Sequence, residues 1–382
     1  MHRRLFLNRL GVASAASVLA GCARAFGIPI DVMARAAPGP GDDSDPAGLW
    51  REAAAYARWA PSPHNIQPWR LRILSETRCE VYCDPRRLLR QTDPTSAFTM
   101  MGMAIFVEYL SVALQPRGYR VQAEYTRNPI DYSATRPTLF AVLELRPTSG
   151  DAVVDRDLIL TRKTSRLPYD GNPVEDSALQ RLVTIAGQSG HRFQSSSDPA
   201  LVVWTLDLNR FTLFEDLDDP VARGELRQWI RCTDPEAEEH KDGLWAHCLR
   251  FPGWLLRAFF DEHETWGRGW RADLCGRLLL RGMRGTRTVG WWSGPFEQPD
   301  DWISAGRVLG RSWLELTRLG IQLHPFGSVI TNPRAYARLT ERLTPPSGAD
   351  RIWMLFRVGR SQVPPRSYRL DEPRIFLSDA EL

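Results

Sequence analysis

The chain has 382 residues, of which 43% are hydrophobic and 25% are charged, a composition typical of a globular protein and unlike that of a disordered chain. This length predicts two or three domains, or one duplicated unit. The formal net charge of +4 falls to +1 without Arg3, Arg4 and Arg9, which lie in a predicted targeting segment. So small a charge, without basic runs that carry interleaved aromatic residues, argues against nucleic-acid binding. After residue 25 there is no run of about 18 consecutive apolar residues, which excludes a polytopic membrane protein.

The amino terminus predicts an export signal. Arg3-Arg4-Leu5-Phe6 precedes the small-apolar stretch Leu10–Gly21, and this order resembles a twin-arginine signal, a type that exports folded proteins. The stretch ends in Leu19-Ala20-Gly21-Cys22, which resembles a lipobox in which Cys22 would be acylated. The alternatives are simple secretion, with cleavage after Ala23-Arg24-Ala25, and no processing. We expect a periplasmic protein that is anchored to the membrane by lipid if Cys22 is acylated.

Helix and strand patterns alternate along the rest of the chain and predict an α+β fold. We expect a signal peptide (1–25), a tether (26–45) and two halves (46–150 and 151–382). For the first half the patterns predict the helix Ala47–Ala60, strands Leu71–Leu74 and Glu80–Cys83, an apolar helix from about Asp93 to Gln115, and strands Arg120–Thr126 and Thr138–Leu145.

The second half repeats this order less regularly. The patterns predict a short helix that carries Arg162–Arg166, a helix from Asp176 to about Ala186, a strand Leu201–Leu206, a helix Ile303–Leu319, a helix after Asn332-Pro333, and a strand Arg351–Val358. The stretch 207–298 is unlike the rest and predicts a helical insertion rich in tryptophan: Trp245, Trp254, Trp266, Trp270, Trp291 and Trp292. It could be ordinary core, a lid over a site, or a surface that rests on a membrane.

One turn carries the most chemical information. Ala60–Trp69 reads Ala-Pro-Ser-Pro-His-Asn-Ile-Gln-Pro-Trp and places two prolines, a hydroxyl and two amides between a helix and a strand. Fixed hydrogen-bonding groups beside a flat apolar surface suit a heteroaromatic ring with polar edges, such as a flavin. A capped turn with no further role is the alternative.

A second segment predicts a phosphate site. Arg162-Lys163-Thr164-Ser165-Arg166 holds three cations and two hydroxyls within five residues, groups that bind phosphate oxygens. Taken alone, the segment could equally be a solvated basic turn.

Together these segments resemble the FMN-dependent nitroreductase superfamily. The Ala60–Trp69 turn matches its A-P-S-x-x-N-x-Q-P-W pattern, and Arg162–Arg166 matches its R-x-S/T-x-R segment, which in that family comes first in the chain. The reversed order, with Asp93-Pro94 before the central helix, is similar to the Acg-like tandem subgroup. The resemblance implies a nitroreductase-like fold in which two tandem halves form an internal pseudo-dimer that needs no second chain. It implies one FMN per chain.

The resemblance also implies which residues hold the cofactor. The isoalloxazine would contact Pro61, Ser62, Pro63 and Asn65; the phosphate and ribityl chain would bind Arg162, Lys163, Thr164 and Arg166; backbone amides of the loop that holds Pro325 and Gly327 would approach N5; and the basic tail would add Arg366 and Arg369. His64 could contact substrate, although packing within the turn is the alternative. Acidic and histidine residues between 238 and 263 match no metal-ligand spacing, so we expect no metal.

We therefore expect an FMN-dependent oxidoreductase. Hydride would pass through flavin N5 from NAD(P)H or a quinol to a nitro- or quinone-like acceptor, and the protein would supply no catalytic acid, base or nucleophile. A protein that only binds or sequesters FMN, with a lidded flavin site, is the alternative. The GxSxG, HExxH, P-loop and GxGxxG motifs are absent from the sequence, which argues against hydrolase, metalloprotease, NTPase and Rossmann folds.

Overall fold

The computed structural model describes residues 47–148, 154–343, 348 and 350–382. The predicted signal peptide, the tether and Cys22 lie outside the described residues.

The first half contains two helices and four strands. In chain order they are α1 (Gly48–Ala57), β1 (Trp69–Ile73), β2 (Arg78–Cys83), α2 (Ala97–Leu114), β3 (Tyr119–Tyr125) and β4 (Thr138–Pro147). All six elements predicted for this half are present, with bounds that shift by a few residues at their ends.

The second half is longer and more helical. Before its sheet is complete it contains α3 (Asp157–Thr161), α4 (Asp176–Gly187), β5 (Arg192–Ser196), α5 (Pro199–Asp218), α6 (Pro220–Gln228), β6 (Ile230–Arg231), α7 (Asp234–His240), β7 (Leu244–Trp245), α8 (Ala246–Leu249), α9 (Gly253–Asp261), α10 (His263–Trp266) and α11 (Gly269–Gly282). The remaining elements are β8 (Thr288–Gly294), α12 (Pro299–Arg318), β9 (Gln322–Pro325), α13 (Gly327–Thr331), α14 (Pro333–Arg342) and β10 (Arg351–Gly359).

Two predictions for the second half are wrong. The strand expected at Leu201–Leu206 is part of helix α5, because Asp198 accepts hydrogen bonds from the amides of Ala200 and Leu201 and Pro199 occupies the first turn, which starts a helix. The segment Arg162–Arg166 is not helical, since α3 ends at Thr161. Thr164 of this segment instead forms a β-bridge with Leu323 of β9, so the segment lies beside this edge strand of the sheet.

The predicted insertion 207–298 is also too long at its carboxyl end. Strand β8 lies within that range, yet it occupies an inner position between β5 and β10, and all seven of its residues are buried. The helical segment, defined from here on as α5–α11, therefore ends at Gly282 and leads into a strand of the core.

The two main sheets have the same topology. In chain order their strands are arranged first, second, fourth and third: β1-β2-β4-β3 and β5-β8-β10-β9, with all neighbours antiparallel. In both halves a long helix, α2 or α12, joins the second strand to the third. The sheets thus repeat one arrangement, although the helical segment separates β5 from β8.

The long helices α2 and α12 pack against each other in the core. Helix α2 has the length and hydropathy of a membrane span, but 83% of it is buried within the protein, as expected for a core helix. A Cβ at Gly306 of α12 would lie 2.5 Å from the Met101 carbonyl oxygen, so glycine permits the close approach of the two backbones.

The carboxyl-terminal tail crosses from the second half to the first. Phe376 forms a parallel bridge with Leu71 of β1, and the amide of Leu377 donates to the Leu71 carbonyl at 2.8 Å. Arg58, just after α1, donates to the carbonyl of Leu370 at 2.8 Å. The tail therefore covers the connection between α1 and β1, where the most informative turn lies.

Candidate functional site

The predicted site residues line one cavity of about 380 Å³. It lies between the turn before β1, the segment after α3, the loop after β9, the tail and the helical segment. The structure brings together Pro61, Ser62, Pro63, His64, Asn65, Arg162, Lys163, Thr164, Arg166, Pro325, Gly327, Arg366 and Arg369. Their roles toward a cofactor remain predictions.

The turn is held in a strained but fixed conformation. His64, Asn65 and Gln67 have φ values of 45°, 57° and 51°, a left-handed region that costs free energy for residues other than glycine. The Gln67 amide group donates to the Lys241 carbonyl at 2.9 Å and accepts from the Leu370 amide at 2.8 Å. Hydrogen bonds with the helical segment and with the tail therefore hold the turn in place on two sides.

Asn65 turns one polar atom toward the cavity without a partner. Its Nδ2 donates to the carbonyls of Gly243 and Tyr368, both at 3.2 Å, which fixes the orientation of the amide because carbonyls can only accept. Its Oδ1 is buried and has no hydrogen-bond partner among the described residues. A buried acceptor of this kind is satisfied when a ligand donates to it.

Helix α2 forms the floor beneath this turn. A Cβ at Gly102 would lie 3.4 Å from Pro63 Cδ and from the Ser62 Cα, an ordinary van der Waals distance, so the turn packs directly on the helix at this position. Met101 and Ile105 of the same helix line the cavity. These residues give the cavity an apolar face beside the polar atoms of the turn.

Four arginines, Arg162, Arg166, Arg366 and Arg369, form what we call the basic cluster. Arg366 stacks on Trp59, with Cζ 3.4 Å from the ring centroid. Arg162 donates to the Trp59 carbonyl at 2.9 Å and packs over Trp313 at 4.6 Å. These contacts fix the guanidinium groups around the end of the cavity beside α1.

The basic cluster is not neutralised within the protein. None of its arginines forms a salt bridge with a described acidic residue, and Arg166 makes no hydrogen bond to any described residue. Buried N–H groups without partners remain at Arg162 Nε, at Arg366 Nε and Nη2, and at Arg369 Nε. Such uncompensated donors favour an anion with several acceptor oxygens.

Burial and mutual repulsion weaken the charge of these groups in the absence of an anion. Burial, together with the charges of Arg162 and Arg58, lowers the pKa of Arg366 to about 10. The pKa of Arg369 is held well below its usual value by burial and by the neighbouring Arg162 and Arg366. A bound dianion would raise both pKa values again, because a nearby negative charge favours the protonated guanidinium.

Two histidines at the cavity are neutral. Burial lowers the pKa of His64 to about 4, against the opposing effect of Glu225. His324 has a pKa well below its usual value because it is buried and lies beside Arg166 and Arg357. Arg357 Nε donates to His324 Nδ1 at 3.2 Å, so the ring proton of His324 is on Nε2.

The loop after β9 approaches the same cavity. The amide of Phe326 donates to the Leu355 carbonyl at 2.7 Å, so that amide is not available to a ligand. Around the Cα of Gly327 there is open space, with no atom within 4 Å of a built Cβ. Gly327 lines the cavity, so its amide remains the candidate for the predicted approach to a flavin.

The sequence did not predict the contribution of the helical segment. Eight of its residues line the cavity: Asn209, Thr212, Leu213, Asp216, Leu226, Leu244, Cys248 and Leu279. Asp216 accepts a hydrogen bond from Asn332 Nδ2 at 2.8 Å, and its burial raises its pKa to about 6. No local motif marks these residues, because only the packing of α5–α11 over the cavity brings them there.

The tryptophans of the predicted insertion have no common role. Trp291 and Trp292 belong to β8 and are buried in the sheet, and Trp245 is buried as well. Trp254 and Trp270 are 59% and 64% exposed. The helical segment has its own apolar core and also covers the cavity, so the predictions of core and lid describe different parts of it.

Several sequence relatives of this chain are named as nitroreductases. It is 28% identical over 310 residues to "Probable NAD(P)H nitroreductase PigM" of Serratia sp., covering 77% of this chain and 84% of that protein. It is 30% identical over 139 residues to "Putative NAD(P)H nitroreductase acg" of Mycobacterium tuberculosis, where the match spans 35% of this chain and 40% of the relative. These relatives support the predicted resemblance to the nitroreductase superfamily. No protein-family model matches the chain.

Solved structures of nitroreductases also align with the chain. A nitroreductase with bound FMN from Bacteroides fragilis aligns with 58% of this chain and 97% of its own, at 13% identity and a TM-score of 0.35. The FMN-dependent nitroreductase NfnB from Mycobacterium smegmatis, in complex with NADPH, aligns with 57% of this chain and 94% of its own, at 15% identity and a TM-score of 0.31. Scores this low carry no conclusion about this chain.

Proposed function

We propose that the protein is an FMN-dependent oxidoreductase of the nitroreductase type. It would use a reduced donor to reduce a nitro- or quinone-like acceptor. The observation that carries the proposal is the cavity in which the basic cluster and the turn at Pro61–Asn65 meet. The names of the sequence relatives agree with this activity.

The residues of the cavity fit FMN. The partnerless N–H groups of Arg162, Arg366 and Arg369 suit the phosphate, which supplies several acceptor oxygens and a double negative charge. Within the turn, Asn65 Oδ1 is a buried acceptor that has no partner among the described residues. It suits an N–H at the edge of the flavin ring. Met101 and Ile105 of α2, which line the cavity beside the turn, offer an apolar surface for the ring itself.

The bound flavin would supply two-electron transfer through N5, which is chemistry that the cofactor carries by itself. The residues of the chain would bind, orient and shield. The basic cluster would hold the phosphate, the turn at Pro61–Asn65 would fix the edge of the ring, and the helical segment would exclude water. The neutral His64 could contact substrate from the same wall.

The two halves would form an internal pseudo-dimer. The turn belongs to the first half, whereas Arg162 and Arg166 and the loop at Gly327 belong to the second. The identical strand order of the two sheets and the tail that pairs with β1 support this arrangement. A site completed within one chain needs no partner subunit.

Arg166→Ala tests the phosphate assignment. Because Arg166 forms no hydrogen bond or salt bridge with described residues, its loss should leave the fold intact. Removal of its contact with phosphate should cost roughly 1.5–3 kcal/mol and weaken FMN binding about tenfold or more. The measurement is the dissociation constant for FMN by fluorescence titration of the full chain.

The matched control is Arg277→Ala. Arg277 is an exposed arginine of α11 outside the cavity lining, so its loss should not change FMN affinity. Equal FMN affinity in the Arg166→Ala variant and in the unaltered protein would contradict the assignment. A colourless protein that refuses added FMN would overturn the proposed function.

A second candidate is a protein that binds FMN without catalysis. The observation that favours it is the cover formed by the helical segment, which contributes eight residues to the cavity lining and could exclude donor and acceptor. Anaerobic mixing of the FMN-loaded protein with NADH, NADPH or a quinol separates the two. Loss and return of the flavin absorbance would support the enzyme, and an unchanged spectrum would support the binder.

The place of action is also a proposal. A twin-arginine signal would export the protein after it has folded around FMN, and acylation of Cys22 would tether it to the membrane by residues 26–45. Localisation and mass spectrometry of the mature protein test this, since a cytoplasmic protein with an unprocessed amino terminus would contradict it.

A further inference from the structure

We propose that this cavity takes an uncharged, lipophilic reductant of the quinol class in preference to a nicotinamide dinucleotide. The inference rests on the proposed function, since it assumes that FMN occupies the basic cluster. It concerns the part of the cavity wall that FMN would leave free.

The first step concerns the positive charges. Among the described residues that line the cavity, every arginine and lysine lies in residues 162–166 or 366–369. These are the groups that the phosphate of FMN would engage. A dinucleotide carries a pyrophosphate, which protein sites hold with cations or with helix amino termini. No described cation of the lining remains for it.

The second step concerns the negative charges, which lie elsewhere on the wall. Asp93 and Asp216 both line the cavity, and we call them the acidic wall. Glu225 lies directly behind, where its carboxylate accepts from the amide and the hydroxyl of Thr92, another lining residue, at 2.9 and 3.0 Å. Burial raises the pKa values of both aspartates to about 6. In their ionised form they would repel a pyrophosphate.

The third step concerns the apolar part of the wall. Leucines from several elements converge on the cavity: Leu89, Leu213, Leu226, Leu244, Leu279 and Leu309. Such a surface binds an uncharged ring with apolar substituents through burial of its area, at about 25 cal/mol per Å². The ionised carboxylates can accept the hydrogen bonds that the hydroxyls of a quinol donate. The hydroxyls of Thr92 and Thr212 can also accept, since they donate their own protons to Glu225 and to the Asn209 carbonyl.

The redox step balances with this donor. A quinol loses two electrons and two protons and leaves as the quinone. Both electrons and one proton pass to the flavin, and the second proton passes to water. No further oxidant or reductant is needed, and the acceptor of the proposed function later takes the electrons.

The experiment measures binding before turnover. The full chain, loaded with FMN, is titrated by calorimetry with NADP⁺ and, separately, with duroquinone, neither of which can reduce the flavin. We expect saturable binding of duroquinone and at least tenfold weaker binding of NADP⁺. Anaerobic mixing with duroquinol and with NADPH then compares the rates at which the flavin absorbance is lost.

Asp216→Asn isolates the acidic wall. An asparagine keeps the oxygen that accepts from Asn332 but removes the charge, so NADP⁺ should bind several-fold more tightly while duroquinone affinity stays the same. The matched control is Asp207→Asn on the same helix, whose carboxylate lies outside the cavity lining and pairs with Arg210 at 3.0 Å. It should change neither affinity.

The experiment distinguishes failure of the quinol inference from failure of the proposed function. A protein that holds no FMN overturns the proposed function itself. If the protein holds FMN, tighter binding of NADP⁺ than of duroquinone, or reduction by NADPH as fast as by duroquinol, overturns the inference alone. Reduction by neither donor also overturns it and favours the FMN-binding alternative.

Discussion

At the scale of single residues, the turn before β1 combines strain with hydrogen bonding. Three non-glycine residues within four positions, His64, Asn65 and Gln67, have positive φ. This conformation is retained because the side-chain amides of Asn65 and Gln67 bind carbonyls of the helical segment and tail. Strain that is stabilised in this way is typical of ligand-binding positions. The local sequence pattern was enough to single out this turn, whose role toward a flavin remains a prediction.

A pair of substitutions at Asn65 separates its two roles. Asn65→Gly and Asn65→Ala both remove the amide, so both should shift the absorption spectrum or the reduction potential of bound FMN. Only alanine must adopt φ = 57° with a Cβ, which costs about 1 kcal/mol or more. We therefore expect the alanine variant to be the less stable of the two in urea unfolding.

The flavin measurements and the stability measurement test two separate roles of Asn65. An unchanged flavin spectrum and potential in both variants would remove Asn65 from the flavin site. Equal stability of the glycine and alanine variants would show that the left-handed backbone conformation costs little there.

The residues that the sequence did not predict lie far from any motif. From the sequence, Asp93 was noted only at the start of the central helix, in the pair Asp93-Pro94, and Asp216 had no predicted role. Their common place at the cavity depends on how α5 packs over α13, where Asn332 binds Asp216. Contacts between positions more than a hundred residues apart leave no local signal in one sequence.

At the scale of elements, prediction succeeded where a pattern had one interpretation. The first half has alternating strands and an almost wholly apolar helix, and all its elements were found. It failed at β8, whose seven residues are buried on both faces and therefore show no alternation. It also failed at Leu201–Leu206, where a run rich in Val and Leu suggested a strand but the Asp198-Pro199 start directs a helix.

The contact between α2 and α12 allows a test at this scale. Gly306→Ala would place a Cβ 2.5 Å from the Met101 carbonyl oxygen and 2.9 Å from its Cα, against backbone that cannot yield easily. We expect a loss of roughly 1–3 kcal/mol in the free energy of unfolding from overpacking, measured by urea denaturation.

Gly224→Ala is the control for that substitution. Gly224 lies within helix α6 and has open space around a built Cβ, so alanine should stabilise the protein by up to about 1 kcal/mol through helix propensity. If Gly306→Ala were tolerated as well as Gly224→Ala, the two core helices would not be in the close contact described.

At the scale of the whole molecule, the repeated topology poses the question of how many sites there are. Strand β5 is the counterpart of β1 in its sheet, so the connection before β5 is the counterpart of the turn at Pro61–Asn65. In place of that turn the connection contains His191, a buried residue. Its Nε2 hydrogen-bonds with the Ser304 hydroxyl at 3.1 Å, and its Nδ1 accepts from Trp353 Nε1 at 3.2 Å.

This packing predicts one FMN per chain. His191 stacks edge-on against Trp353, with ring centroids 5.4 Å apart, and a Cβ at Gly294 would lie 2.5 Å from its Nδ1. Packed side chains therefore take the place of the turn in the second half. In the proposed pseudo-dimer the site at Pro61–Asn65 draws all its residues from one chain, so the ratio should not depend on association between chains. Flavin released by heat from a weighed amount of protein should give a molar ratio of FMN to chain near one, in a species whose mass by light scattering can be monomeric.

A ratio near two would mean that the counterpart site also binds FMN. A ratio near one half in a stable dimer would mean that two chains share one site.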